Sequence, residues 1–126
     1  MHGFSYGVAL LAAVGIMGIG VMYLFRPRVM THNFGLPLPA EGRNTTWWLR
    51  LKGSRDIVSG LVVLALMAWG TPHLLGIVLL IEAIIPTSDM STILAAKGST
   101  STAFGVHGLT AALMVASAIP LIIGVT

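Results

Sequence analysis

Asp56, Asp89, Glu82, Arg55 and His107 stand inside stretches otherwise made of aliphatic residues, and they are the side chains best suited to move protons there. An arginine next to one carboxyl group favours its ionised form, and apolar surroundings favour the protonated form of another, so two carboxyls can divide into base and acid. Asp56 and Asp89 are the candidate pair, with Arg55 as the tuning residue. His107 is either the acid or the group that positions water, and which aspartate takes which role stays open.

The elements that must carry these residues are membrane spans. Of 126 residues, 56% are hydrophobic and 9% charged, and the mean hydropathy of +0.92 leaves far too little polar surface for a water-soluble fold. The absence of cysteine excludes disulfides, thiolate metal sites and cysteine nucleophiles. The expected fold is all-α: a single transmembrane domain, an integral membrane four-helix bundle over residues 1–126, with helices at about 4–25, 47–69, 72–96 and 101–124 and one long loop over 26–45. Segment 4–25 carries no formal charge, and it lacks the basic n-region of a cleaved signal peptide. Arg26-Pro27-Arg28 stops it, and the run Asn33-Phe34-Gly35-Leu36-Pro37-Leu38-Pro39 cannot continue a helix. Arg50, Lys52, Arg55 and Asp56 make the second helix look less apolar than its length warrants. Thr71-Pro72 caps and starts the third, and Pro86 should kink it and free carbonyls for a hydroxyl such as Thr87 or Ser88.

Arg26, Arg28, Arg43 and Lys97 cluster on the loop side, so the positive-inside rule places the loop in the cytoplasm and both termini on the non-cytoplasmic side. The net charge of +3 therefore speaks of topology, and nucleic acid is not an expected partner. At about 1.5 Å of rise per residue, Arg55 and Asp56 lie about 12 to 14 Å below the loop-side surface, Asp89 about 10 Å and His107 about 9 Å. Three helices thus bring ionisable groups to one layer, and Glu82, two turns below Asp89, would form a floor about 10 Å deeper. Charged groups at such depth face a partner or a watered pocket, never lipid. Glu82, Arg50, His32, Asn33 and Trp48 complete the candidate substrate-binding set, in a pocket opening toward the cytoplasmic side. No metal site is expected, because no helix pairs His with a carboxylate at i+3 or i+4, and no cofactor, because two carboxyls of different acidity suffice for acid/base chemistry.

The segments Phe25-Arg26-Pro27, Asn33-Phe34-Gly35-Leu36-Pro37, Lys52-Gly53-Ser54-Arg55-Asp56-Ile57-Val58-Ser59-Gly60, Pro86-Thr87-Ser88-Asp89 and Phe104-Gly105-Val106-His107-Gly108, in this order, resemble the small four-helix membrane proteins grouped as domain of unknown function 4267. The resemblance covers nearly the whole chain. It points to Arg55, Asp56, Asp89 and His107, and by association with fungal relatives it implies oxidative polyketide pathways in which epoxides are opened by water or an internal hydroxyl.

The leading expectation is an intramembrane acid/base enzyme on a lipophilic small molecule, most plausibly performing epoxide hydrolysis or epoxide-opening cyclisation. One alternative is a non-enzymatic lipid-binding or accessory subunit, and another is a proton-linked transporter acting as a dimer. A bland alternative is a polar plug that serves only helix association, with Lys52 paired to Asp56, Arg55 to Asp89 or Glu82, and His107 donating to a carbonyl. Membrane lipid is an expected partner, and a homo-oligomer is left open.

Overall fold

The computed structural model describes residues 2–125, and every regular element among them is helical. In chain order these are α1 (His2–Phe25), α2 (Pro27–Phe34), α3 (Arg43–Trp69), α4 (Pro72–Glu82), α5 (Ile84–Ala95), α6 (Thr100–Thr102), a π-helical turn (Ala103–Gly108) and α7 (Leu109–Ile123). Three continuous stretches are long and apolar enough to cross a membrane: His2–Phe25, Pro72–Ala95 and Thr100–Ile123. The charged first half of α3 keeps that helix out of this set, although at 27 residues it is the longest helix.

The segment expected to be loop contains a helix. α2 occupies Pro27–Phe34 because a proline that ends one helix also suits the first position of the next, where its missing N–H is no loss. Gly35, at φ +104°, closes α2 in the left-handed conformation that a side chain would resist. Its carbonyl accepts from the Ser99 N–H at 2.8 Å, which ties α2 to the turn before the last helix. α3 likewise starts four residues earlier than expected, at Arg43.

The third stretch behaves as its proline requires. Thr71 accepts from Leu74 N at 3.2 Å and Pro72 opens α4, while the helix breaks at Ala83, one turn before Pro86. Thr87 Oγ1 donates to the Ala83 carbonyl at 2.8 Å, so a hydroxyl supports the broken turn. The last stretch holds a feature that was not expected, the π-helical turn around His107.

α1 and α3 run antiparallel in backbone contact. A Cβ added at Gly20 or at Gly53 would sit 2.6 Å from the other residue's carbonyl oxygen, so only glycine permits this crossing. At the end away from α2, Ala9, Ala13, Val63, Leu75, Leu79, Met114, Ala118 and Leu121 make an apolar core. His73 Nδ1 donates to the Ile122 carbonyl at 2.8 Å and holds α4 to α7 there.

Candidate functional site

Toward the α2 end the same helices part around a cavity of about 340 Å³, the size of a small-molecule site. Most of its wall is apolar. The exceptions are Tyr23, Asn33, Lys52, Ser59, Glu82, Asp89, His107 and Thr110. Each is delivered by a local feature of its helix. On α3, Lys52, Asp56, Ser59 and Val63 follow i, i+4, i+7 and i+11, a single stripe that the Gly20–Gly53 crossing turns toward the interior. Asp89 lies one turn after Pro86, on the same side of α5. α2 covers the loop-side end with Met30, Asn33 and Phe34.

The π-helical turn matters for His107. Its Nε2 lies 3.0 Å from the Phe34 carbonyl oxygen, and its ring packs on the Phe34 ring at a centroid distance of 4.7 Å. A carbonyl only accepts, so Nε2 carries the hydrogen and the second ring nitrogen is left for other partners. That nitrogen, Nδ1, faces Asp89 Oδ2 at 3.8 Å. The gap is too long for a hydrogen bond and short enough to close by a small side-chain movement. Asp89 and His107 therefore form a carboxyl–imidazole pair whose backbone anchor is the α2 carbonyl.

Lys52 is the cation of the site. Its Nζ donates to Asp56 Oδ2 at 2.6 Å, lies 4.5 Å from the centre of the Tyr23 ring and 5.3 Å from that of Phe34. Lys52 itself lines the cavity, whereas Asp56 sits behind it, 8% exposed. Asp56 thus acts on the cavity through Lys52. Glu82 lines the deeper end, with Ser59 of α3 beside it.

Of the residues singled out in the sequence, Asp89, His107, Glu82 and Asn33 line the cavity. Arg55 does not. It is exposed and makes no ion pair among the described residues, because it stands off the Lys52–Asp56–Ser59 stripe of α3 and points away from the cavity. Lys52 holds the place expected for Arg55. His32 is exposed and outside the cavity wall, since α2 turns Asn33 and Phe34 inward instead. Arg50 and Trp48 belong to a separate shallow groove with Leu24, Asn44, Trp47, Leu51 and Ser54. Sequence reasoning missed Lys52, Ser59 and Tyr23 as site residues; the i, i+4, i+7 stripe on α3 was the signal that could have found the first two. Two of the plug contacts are present, Lys52 with Asp56 and His107 with a carbonyl, but neither fills the cavity. Among the described residues, no group of three His, Asp or Glu side chains is placed to hold a metal ion.

Leu11, Gly15 and Ile19 of α1, and Val106 and Thr110 across from them, line the cavity and are also exposed on the outer surface. The cavity is therefore open at its side, between α1 and the last helix.

Comparison with known proteins agrees with the resemblance read from the sequence: the family described as Domain of unknown function (DUF4267) matches residues 13–121. No curated protein and no solved structure matches the chain.

Proposed function

The chain belongs to the DUF4267 family, and from its own geometry we propose that it is an intramembrane acid/base enzyme that opens a lipophilic epoxide with water or with a hydroxyl of the same substrate. The observation that carries this reading is the convergence of Asp89, His107 and Lys52, from three segments, on the lining of a largely apolar cavity of about 340 Å³. An epoxide suits such a chamber because it is neutral and greasy, and its opening requires only a proton removed and a proton given.

Ionised Asp89 takes the proton from the attacking oxygen as that oxygen bonds to an epoxide carbon, and the carboxyl group so formed donates to His107 Nδ1. The carbon–oxygen bond of the ring breaks, and the oxygen that departs is left as an alkoxide. Lys52 Nζ–H stabilises this developing charge, in surroundings where a hydrogen-bonded cation is far more effective than in water. The proton held by Asp89 and His107 then returns to the alkoxide, so that no net proton is consumed. Asp56, expected as the second catalytic carboxyl, is instead the positioning residue for Lys52, because it lies behind Lys52 and outside the cavity wall.

In this reading the chain crosses the bilayer four times, with α3 as the fourth span, because it packs antiparallel along α1 and about 40 Å of helix exceeds the hydrocarbon thickness. The basic residues of the α2 side lie in the cytoplasm. Substrate arrives through the lateral opening, from the bilayer in which it is dissolved.

The test is turnover of a lipophilic epoxide by protein in lipid nanodiscs. Asp89→Asn should lower the rate by at least about 100-fold while the protein stays folded; full activity in that variant removes the mechanism. A second reading, a non-enzymatic lipid binder, is favoured by the apolar wall and the lateral opening. Tightly co-purified lipid together with no turnover in the unsubstituted protein would select it.

A further inference from the structure

Glu82 is left over by this mechanism. It lines the cavity two turns from Asp89, about 10 Å away along the helix axis, on the far side of the break at Ala83. A carboxyl group near mid-bilayer is costly, and it persists where it has a partner or a use. Among the described residues Glu82 has no ion-pair partner. Its backbone carbonyl is also short of a donor, because the residue one turn on, Pro86, has no N–H. The Ser59 hydroxyl, beside Glu82 on α3, donates to its carboxyl group and keeps lone pairs to offer. The deep end of the cavity thus holds more acceptors than donors, and an aliphatic substrate tail would leave the excess unsatisfied.

We infer that this deep end is a subsite for a hydroxyl group of the substrate, held by Glu82 and Ser59 about 10 Å from the bond that Asp89 and His107 act on. From the proposed function the inference takes that the cavity holds a lipophilic substrate with its electrophilic end at Asp89 and His107. A neutral hydroxyl fits better than an ammonium, which would have to shed its hydration to arrive through the bilayer. The substrate class is accordingly a bifunctional molecule: a greasy chain or ring system with an electrophilic group at one end and an alcohol at the other. The subsite fixes which way round it lies, and so which carbon meets the Asp89–His107 pair.

Two probes test this, the terminal epoxide of decane and its counterpart bearing a hydroxyl at the opposite end. Binding to the Asp89→Asn protein in nanodiscs is measured so that turnover does not enter. The hydroxylated probe should bind about tenfold more tightly. Glu82→Leu should erase that preference, weakening the hydroxylated probe and tightening the plain epoxide, whose tail no longer faces an unsatisfied carboxyl group, and Glu82→Gln, which keeps one acceptor, should retain part of it. Removal of a charge from mid-membrane favours insertion, so Glu82→Leu is expected to fold. Equal affinity for the two probes, a preference that survives in Glu82→Leu, or no binding of either probe would overturn the subsite. Absence of turnover in the unsubstituted protein, with the preference intact, would instead remove the enzymatic reading alone.

Discussion

The two ends of the bundle solve different problems with the same helices. Away from α2, Ala9 of α1 meets Leu75, Ala118 and Leu121 in a packed core, and Ala13, Val63, Leu79 and Met114 on top of it are the floor of the cavity. Toward α2, α1 turns to α3 through glycine contacts, the third stretch is broken at Ala83, the last helix loosens into a π-helical turn, and a cavity opens between them. Apolar packing holds the helices together at one end, and the polar groups gather at the other. Breaks in helical regularity therefore mark the site as clearly as its charges do.

That contrast can be broken deliberately. The largest effect is expected at Asp89→Asn, a loss of at least about 100-fold in turnover without loss of fold. Next is the ion pair behind the wall: Lys52→Met alone strands Asp56 and should destabilise the protein by about 3–5 kcal/mol. The double variant Lys52→Met/Asp56→Leu should recover most of that stability in a detergent melt and remain inactive. Recovery of activity together with stability would reduce the pair to a structural element. In the packed end, Leu75→Ala should cost about 2–5 kcal/mol, read from the same melt, while the rate per folded molecule stays near that of the unsubstituted protein. The smallest effect belongs to Arg55→Gln, within about 0.5 kcal/mol in stability and with little change in turnover. A large loss of turnover there would return Arg55 to the site.

Counting rise along the helices was enough to bring Asp89 and His107 to one depth, and the structure brings them to 3.8 Å. Depth alone does not give direction around a helix, and for that reason Arg55 was chosen over Lys52, three residues away on α3. The stripe that decides it, Lys52–Asp56–Ser59, becomes meaningful only once Gly20 and Gly53 fix which side of α3 faces α1. Pro86 foretold the broken third stretch because a missing N–H has a local consequence. Pro27 foretold less, since one residue both stops α1 and opens α2. The π-helical turn at Ala103–Gly108 has no composition signature; it coincides with the tertiary contact of His107 with the Phe34 carbonyl.

The central claim is that the polar wall exists for a ligand and not for the fold, and the stability of Asp89→Leu tests it most directly. Among the described residues no hydrogen bond holds Asp89, so the apolar replacement should melt at or above the temperature of the unsubstituted protein and turn nothing over. A marked fall in melting temperature with turnover retained would mean that Asp89 serves the packing of the bundle, and would contradict the account.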